Sequence, residues 1–258
     1  MIEGSFLSHL VELRARIIRT LSGLIIGFIP CAFYARELYS LLAQPLLEKL
    51  PQGGQMIATD VATPFFVPMK VAMMMAFVIT LPHTLYQIWA FVAPGLYAHE
   101  KRLALPLVVG SSLLFFFGMA FAYFAALPLV FEFITYFAPD GVAVMTDIGK
   151  YLSFVLSMFM AFGFTFEVPI FVIVLVRTGV ITIEKLKEIR PYVIVGAFVI
   201  AAIFTPPDVI SQFMLAVPLC LLYELGIITA TIMAKNQNKQ DQSKISPAEE
   251  KNTPGKPD

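Results

Sequence analysis

Charge is scarce in this chain. Only 14% of its 258 residues are Asp, Glu, Lys or Arg, whereas soluble domains carry about 25%. So few charges cannot coat a water-facing surface, and a mean hydropathy of +0.79 excludes an ordinary soluble domain. The net charge is zero, so overall charge points to no nucleic acid or acidic partner. Cysteine is nearly absent as well. Cys31 and Cys220 both fall inside apolar runs, where small packing residues are expected rather than a disulfide or a metal site. His9, His83 and His99 share no ligand spacing with either cysteine, so no metal and no cofactor is expected. The chain lacks a P-loop, a glycine-rich dinucleotide turn and a nucleophile elbow, leaving an ATPase or membrane-embedded hydrolase without support. No cleavable signal is expected, because the first apolar run begins near Ile17, after Glu3 and Glu12, with no A-x-A-like site behind it.

What the chain does have is six long, or nearly long enough, apolar runs, the mark of an all-α polytopic membrane protein. The first span is read as Ile17–Tyr34, with Gly23 and Gly27 at GxxxG spacing, a weak signal of close helix packing and in a single copy more often incidental. Between Ala35 and Pro64, the leucines at 38, 41, 42, 46 and 47 predict a short amphipathic helix on the membrane surface. The second span is about Phe65–Ile88, and Trp89, Phe91 and Tyr97 beyond it read as an interfacial aromatic cluster. The third, Leu103–Phe133, would reach roughly 46 Å and must tilt, bend or project beyond the core. Pro106, Gly110, Gly118 and Pro128 give it places to bend. The fourth is about Tyr151–Val176 and holds Glu167 beside Pro169. Tyr192–Phe204 is only about 20 Å of helix, too short to cross a bilayer upright. It turns at Thr205–Asp208 and returns as Val209–Ala234, a short hairpin expected to thin the surrounding lipid. Residues 1–234 then form one membrane domain, and the polar, proline-containing 235–258 a disordered tail.

Basic residues set the expected orientation. Six spans put both termini on one side, and that side holds fourteen of the eighteen Lys and Arg; without the tail lysines the division is nine to four. Both termini are therefore expected on the cytoplasmic side, with Glu12 and Glu100 on the same face. Each of these acids has basic neighbours in sequence. They fit an ion pair that fixes helix ends, or an acidic pocket for a cationic ligand such as arginine, whose planar fork pairs with a carboxylate. Glu167 lies deep in its span, where a charge costs about 2.5–3.5 kcal/mol. It is either a hydrogen-bonded packing residue or a polar lining on a water-accessible face. Asp208 is expected to cap the last helix, and Glu132 and Glu224 to sit at interfaces.

The ordered motifs carry a specific likeness. They run from His9-Leu10-Val11-Glu12-Leu13-Arg14-Ala15-Arg16 through Pro51-Gln52-Gly53-Gly54 and Ala58-Thr59-Asp60-Val61-Ala62-Thr63-Pro64-Phe65. They continue with Gln87-Ile88-Trp89-Ala90-Phe91-Val92-Ala93-Pro94, His99-Glu100-Lys101-Arg102 and Phe166-Glu167-Val168-Pro169. Arg190-Pro191-Tyr192 and Thr205-Pro206-Pro207-Asp208 complete the set. Over about Ser8–Met233 the chain closely resembles the TatC family, the signal-peptide receptor subunits of the twin-arginine protein translocase. The resemblance implies a cup-shaped bundle of six transmembrane helices, N-in/C-in, in the bacterial cytoplasmic membrane, with two short final helices. It implies binding of the twin-arginine motif on folded cargo, with export driven by the proton-motive force and no enzymatic activity. It places Glu12, Glu100, Phe91 and Arg14 at the signal-peptide site. Pro45, Glu167 and Asp208 match positions implicated in function or in contacts with the single-span partners TatA and TatB, within a receptor complex that also holds further copies of the chain. A proton-coupled small-molecule transporter using Glu167 is the alternative, but no inverted repeat is visible and only one acid sits deep in the membrane. A scaffold that merely gathers small membrane subunits is the third reading.

Overall fold

In hydrocarbon a backbone N–H has no partner except its own chain, and the apolar runs fold accordingly. The computed structural model describes residues 2–47, 56–96, 104–137, 146–205 and 208–250. Helix α1 (Ile2–Phe33) is followed by the short α2 (Ala35–Leu47), and strand β1 (Met56–Ile57) leads into α3 (Thr63–Leu96). Helix α4 (Ala104–Phe121) passes through a π-helical turn (Ala122–Ala126) into α5 (Leu127–Tyr136). Strand β2 (Thr146–Asp147) opens α6 (Ile148–Arg177), and α7 (Ile183–Glu188), α8 (Arg190–Phe204) and α9 (Val209–Glu250) complete the order. Among the described residues, five stretches are long and apolar enough to cross a membrane: Leu10–Phe33, Thr63–Phe91, Leu105–Ile134, Ile148–Arg177 and Val209–Lys235. Helix α8 is the sixth and shorter one, as its length in the sequence predicts. Its partner is not short. The apolar part of α9 runs 27 residues through Pro218 without a break, and the helical trace carries on to Glu250.

The spatial order of packing is α1 on α3, α3 on α4, α4 on α6, α6 on α9 and α9 on α8. Helix α2 lies across the end of this row, its Leu42 and Ala43 buried and Arg36, Glu37 and Ser40 facing out. Pro45 explains how α2 is fastened. Proline has no N–H, so the Leu41 carbonyl one turn earlier loses its helical donor. The Tyr123 hydroxyl donates to it at 2.8 Å, and Tyr151 donates to the Leu42 carbonyl at 2.6 Å. The bend expected in the third span is the π-helical turn itself. The Pro128 ring would meet the carbonyl of Phe124 in a regular helix; instead the Leu127 N–H bonds Ala122 O, five residues back.

Two pairs of helices approach closely. At Gly27 an added Cβ would lie 2.7 Å from Thr80 Cγ2 on α3, and at Gly23 it would lie 3.0 Å from the His83 ring. The Gly23–Gly27 spacing, read as incidental, is therefore the seat of α1 on α3. Between α4 and α6 the fit is reciprocal. A Cβ at Gly118 would stand 2.6 Å from Phe162 O, and one at Gly163 would stand 2.5 Å from the Phe115 ring. Gly118→Val should lower the melting temperature in detergent by an amount equivalent to ~1–3 kcal/mol, since backbone oxygen cannot move aside. Gly196→Ala, which meets nothing within 4 Å, should hold or raise it.

Strands β1 and β2 pair in parallel, Met56 with Thr146 and Ile57 with Asp147, so α3 and α6 start at the same end of the bundle. Asp147 locks this seam. Its Oδ2 accepts from the Thr59 N–H at 3.1 Å and hydroxyl at 2.6 Å, and its Oδ1 from Gly149 and Lys150 N–H at 2.9 Å each. The Thr59 hydroxyl foremost, then these backbone donors, hold the carboxyl at about 2. A lowered folded value means that the ionised form stabilises the seam above the ordinary 3.8, and that this stabilisation is lost as pH falls toward 2. Hydrogen exchange at the Thr59 amide should stay protected at pH 5 and open between about pH 4 and 2. Protection unchanged across that window would show that the carboxylate does not hold the seam.

Candidate functional site

Glu12 and Arg16 are one helical turn apart, so both project from one face of α1. Arg16 Nη2 meets Glu12 Oε1 at 3.1 Å, with 20% and 35% of the respective side chains exposed. On an open helix such a pair contributes only about 0.3–0.5 kcal/mol. Here the other arm of the guanidinium donates to Gln87 Oε1 at 3.1 Å, and Nη2 reaches Ala90 O at 3.5 Å. Gln87 is buried at 5% exposure. Arg16 is thus cross-braced to α3, and through it the Glu12 carboxylate is held against the α1–α3 seam. Phe91 lies one turn beyond Gln87. It joins Leu13, Arg16, Ile17, Thr20, Leu21, Thr84, Gln87 and Ile88 around a cavity of about 250 Å³. Arg14, by contrast, is exposed and enters no ion pair or hydrogen bond among the described residues. Glu100 and Tyr97 lie outside the described residues, as do the Pro51–Gly54 turn and the Pro45 side chain.

The second cluster is built by the α4–α6 crossing. Ser111, Phe115 and Gly118 share one face of α4, and Gly163, Phe166 and Glu167 share the face of α6 that meets it. The close approach at the two glycines brings Ser111 beside the Glu167 carboxyl. Ser111 Oγ also accepts from Trp89 Nε1 at 3.2 Å. Glu167 itself is 4% exposed, and its Oε1 is buried without a partner among the described residues. Glu167 is the one acid on a cavity of about 320 Å³ whose other walls, Thr84 apart, are apolar or aromatic, among them Phe77, Leu81, Trp89, Phe164 and Phe171. Thr84 and Ile88 border this cavity and the one beside Arg16 alike. A single face of α3 therefore runs from the Glu12 end to the buried acid. Trp89 is not interfacial: it is 7% exposed and wedged between α4 and α6 with Val108 and Val174.

Asp208 caps α9 as expected, its Oδ1 accepting from Ser211 N–H at 2.7 Å. Its Oδ2 and the neighbouring Ser211 hydroxyl are buried without partners among the described residues. Glu224 pairs with Arg190 at 2.6 Å and ties α9 to the start of α8. No group of three His, Cys, Asp or Glu among the described residues is placed to hold a metal ion.

Residues 8–218 match the family described as Sec-independent protein translocase protein TatC. The protein of that name from Escherichia coli K12 is 48% identical over 236 residues, covering 91% of this chain and 92% of the relative. The Aquifex aeolicus protein is 40% identical, covering 90% of this chain and 96% of the relative. The chain belongs to the TatC family. A crystal structure described as the twin arginine translocase receptor TatC superposes with a TM-score of 0.77 at 40% identity, over 87% of this chain and 98% of that one. A second crystal structure of the receptor, in a detergent, gives 0.79 at 41% identity, over 86% and 99%. Membership makes the chain a subunit of the Sec-independent translocase and does not favour the proton-coupled transporter reading.

Sequence reasoning named Glu12, Phe91 and Glu167, and the arginines Arg14 and Arg16 as able to orient Glu12, but not Gln87, Ser111 and Trp89 as the side chains around them. The signal was present for Gln87, an amide in an apolar span four residues before Phe91. For Ser111 no signal was available, because serine is common in membrane helices. The chain holds one tryptophan, so its emission reports the Glu167 cavity alone. Ser111→Ala should shift that emission to shorter wavelength with helicity retained, because the indole N–H loses its partner. An unshifted spectrum would show that the bond is not made.

Proposed function

We propose that the chain receives the twin-arginine signal peptide of folded cargo at the Glu12 end of α1 and α3. The observation that carries this reading is the arginine already seated there. Arg16 shows that the Glu12 carboxylate, with Gln87 Oε1 and Ala90 O beside it, accepts a guanidinium fork in an apolar setting. A signal arginine presents the same donors. Glu100, in the adjoining motif, supplies the acid for the second arginine, and Arg14 and Phe91 flank the site. Two charge-assisted pairs contribute ~3–6 kcal/mol, which corresponds to millimolar binding or somewhat tighter. The acids are thus a filter for arginine. Affinity comes from the apolar core of the signal peptide, laid along the α3 face between the two cavities toward Glu167.

The chain is a multi-pass membrane protein with a transport role, and we place it in the bacterial cytoplasmic membrane with both termini cytoplasmic, supported by the nine-to-four division of basic residues. Residues 1–234 act as one cup-shaped membrane domain, with 235–258 as a cytoplasmic tail. TatA-like and TatB-like single-span subunits and further copies of the chain are its partners, with Glu167, Pro45 and Asp208 on the contact faces and the proton-motive force driving export. The test is site-specific cross-linking and affinity of a twin-arginine peptide on the full chain. Glu12→Gln and Glu100→Gln should each weaken binding by about ten- to a hundred-fold, as expected for loss of one charge-assisted pair. A twin-lysine peptide should bind the unaltered chain more weakly. Undiminished cross-linking in both variants, correctly inserted, would overturn the reading.

A further inference from the structure

The groove at the end of α3 opposite the Glu12 site is lined by chemistry that the fold leaves unused. Thr63, Phe66, Val67 and Lys70 form one stripe of α3, and Gly149, Lys150 and Ser153 the facing turn of α6. With Asp60 and Asp147 they enclose about 540 Å³. Both walls are the opening turns of membrane spans that start at Thr63 and Ile148. The parallel β1–β2 pair fixes these two starts at the same end of the bundle. Lys70 is the one charged residue, histidine aside, of the span Thr63–Phe91. It lies about 10 Å along α3 from its start, within reach of headgroups for a lysine whose stem snorkels toward the interface.

The charges in the groove do not satisfy one another. Asp147 has its acceptors taken by Thr59, Gly149 and Lys150 N–H. Among the described residues, the ammonium groups of Lys70 and Lys150 and the carboxylate of Asp60 enter no ion pair and no side-chain hydrogen bond. Two free cations and one free anion around a groove with an apolar side, Phe66 and Val67, match a ligand that carries the opposite charges. A phosphate suits the lysines, a primary ammonium suits Asp60, and an acyl chain suits the phenylalanine. The N-terminus of α6 is already capped by the Asp147 carboxylate, so the phosphate relies on the lysines.

We propose that this groove is a binding site for the phosphoethanolamine headgroup of a membrane lipid. Lys70 and Lys150 hold the phosphate, Asp60 accepts hydrogen bonds from the primary amine, and Phe66 packs on the acyl chains. A choline headgroup offers the same phosphate but no N–H donor, so Asp60 is the residue that separates the two lipids. A glycerol headgroup leaves Asp60 without a cation.

The test uses the full chain in detergent, with lipid retention read by mass spectrometry of the intact complex and by thermal unfolding on lipid addition. The probes are phosphatidylethanolamine, phosphatidylcholine and phosphatidylglycerol with matched acyl chains, and soluble phosphoethanolamine and inorganic phosphate. Phosphatidylethanolamine should be retained about ten-fold over the other two lipids. Lys70→Gln with Lys150→Gln should remove that retention. Asp60→Asn should keep the lipid but erase the preference for ethanolamine over choline. The three altered side chains are exposed and the backbone N–H of Lys150 still bonds Asp147, so lipid-free stability should be unchanged. Should the double variant unfold, Lys150→Ser alone serves, and it should weaken retention several-fold. Equal retention of all three lipids, or retention unaffected by these variants, overturns the site. Phosphoethanolamine or phosphate binding as tightly as the lipid would overturn the lipid as occupant.

Discussion

A proline inside a membrane helix leaves a carbonyl without a donor and a ring without room, and lipid offers no water to repair either fault. Two such faults organise one end of this bundle. Pro45 orphans the Leu41 carbonyl on α2, and Pro128 forces the π-helical turn Ala122–Ala126. The wide turn carries Tyr123, and the Tyr123 hydroxyl fills the place that Pro45 emptied. One defect therefore presents the group that satisfies the other. Tyr151 on α6 completes the attachment at the next carbonyl. The amphipathic helix, the bent third span and the fourth span are joined by hydroxyls at the point where each would otherwise be least stable.

The buried acid rests on a different economy of space. Glu167 is tolerable in a membrane because Ser111 stands beside it, and Ser111 can stand there because Gly118 and Gly163 let two backbones approach over opposed phenylalanine rings. Gly226 of α9 packs on α6 less tightly, a Cβ there lying 3.0 Å from the Pro169 Cα. The carboxyl is approached from α4 by Ser111, α9 packs on α6 just beyond it, and one carboxyl oxygen stays buried without a partner among the described residues. Such a residue is poorly placed for stability, which is why its presence reads as function.

Much of this was legible in the sequence. Apolar length revealed the spans and the shortness of α8, because hydrocarbon thickness sets both. The ordered motifs pointed to the family and to Glu12, Phe91 and Glu167. What stayed hidden was pairing between helices. That Arg16 rather than Arg14 meets Glu12 follows from a four-residue spacing, but its brace to Gln87 depends on the rotation of α1 against α3. The Gly23–Gly27 pair looked incidental until Thr80 and His83 were found in its groove. The continuity of α9 through Pro218 was equally invisible, since a missing N–H shows in sequence while the packing that tolerates it does not.

Helix α1 packs chiefly on α3, and only 6% of its most apolar stretch is buried. Its tightest contact there is Gly27 on Thr80, a natural pivot, with Gly23–His83 and the Arg16–Gln87 bond as further seats toward Glu12, which lies about 22 Å away along the axis. Leverage follows from that geometry. A tilt of about 5° at the pivot sweeps the acid through about 2 Å, enough to part it from a hydrogen-bond partner. The tightest contact of α1 thus lies far from its charged end, and small rotations about it are magnified at Glu12.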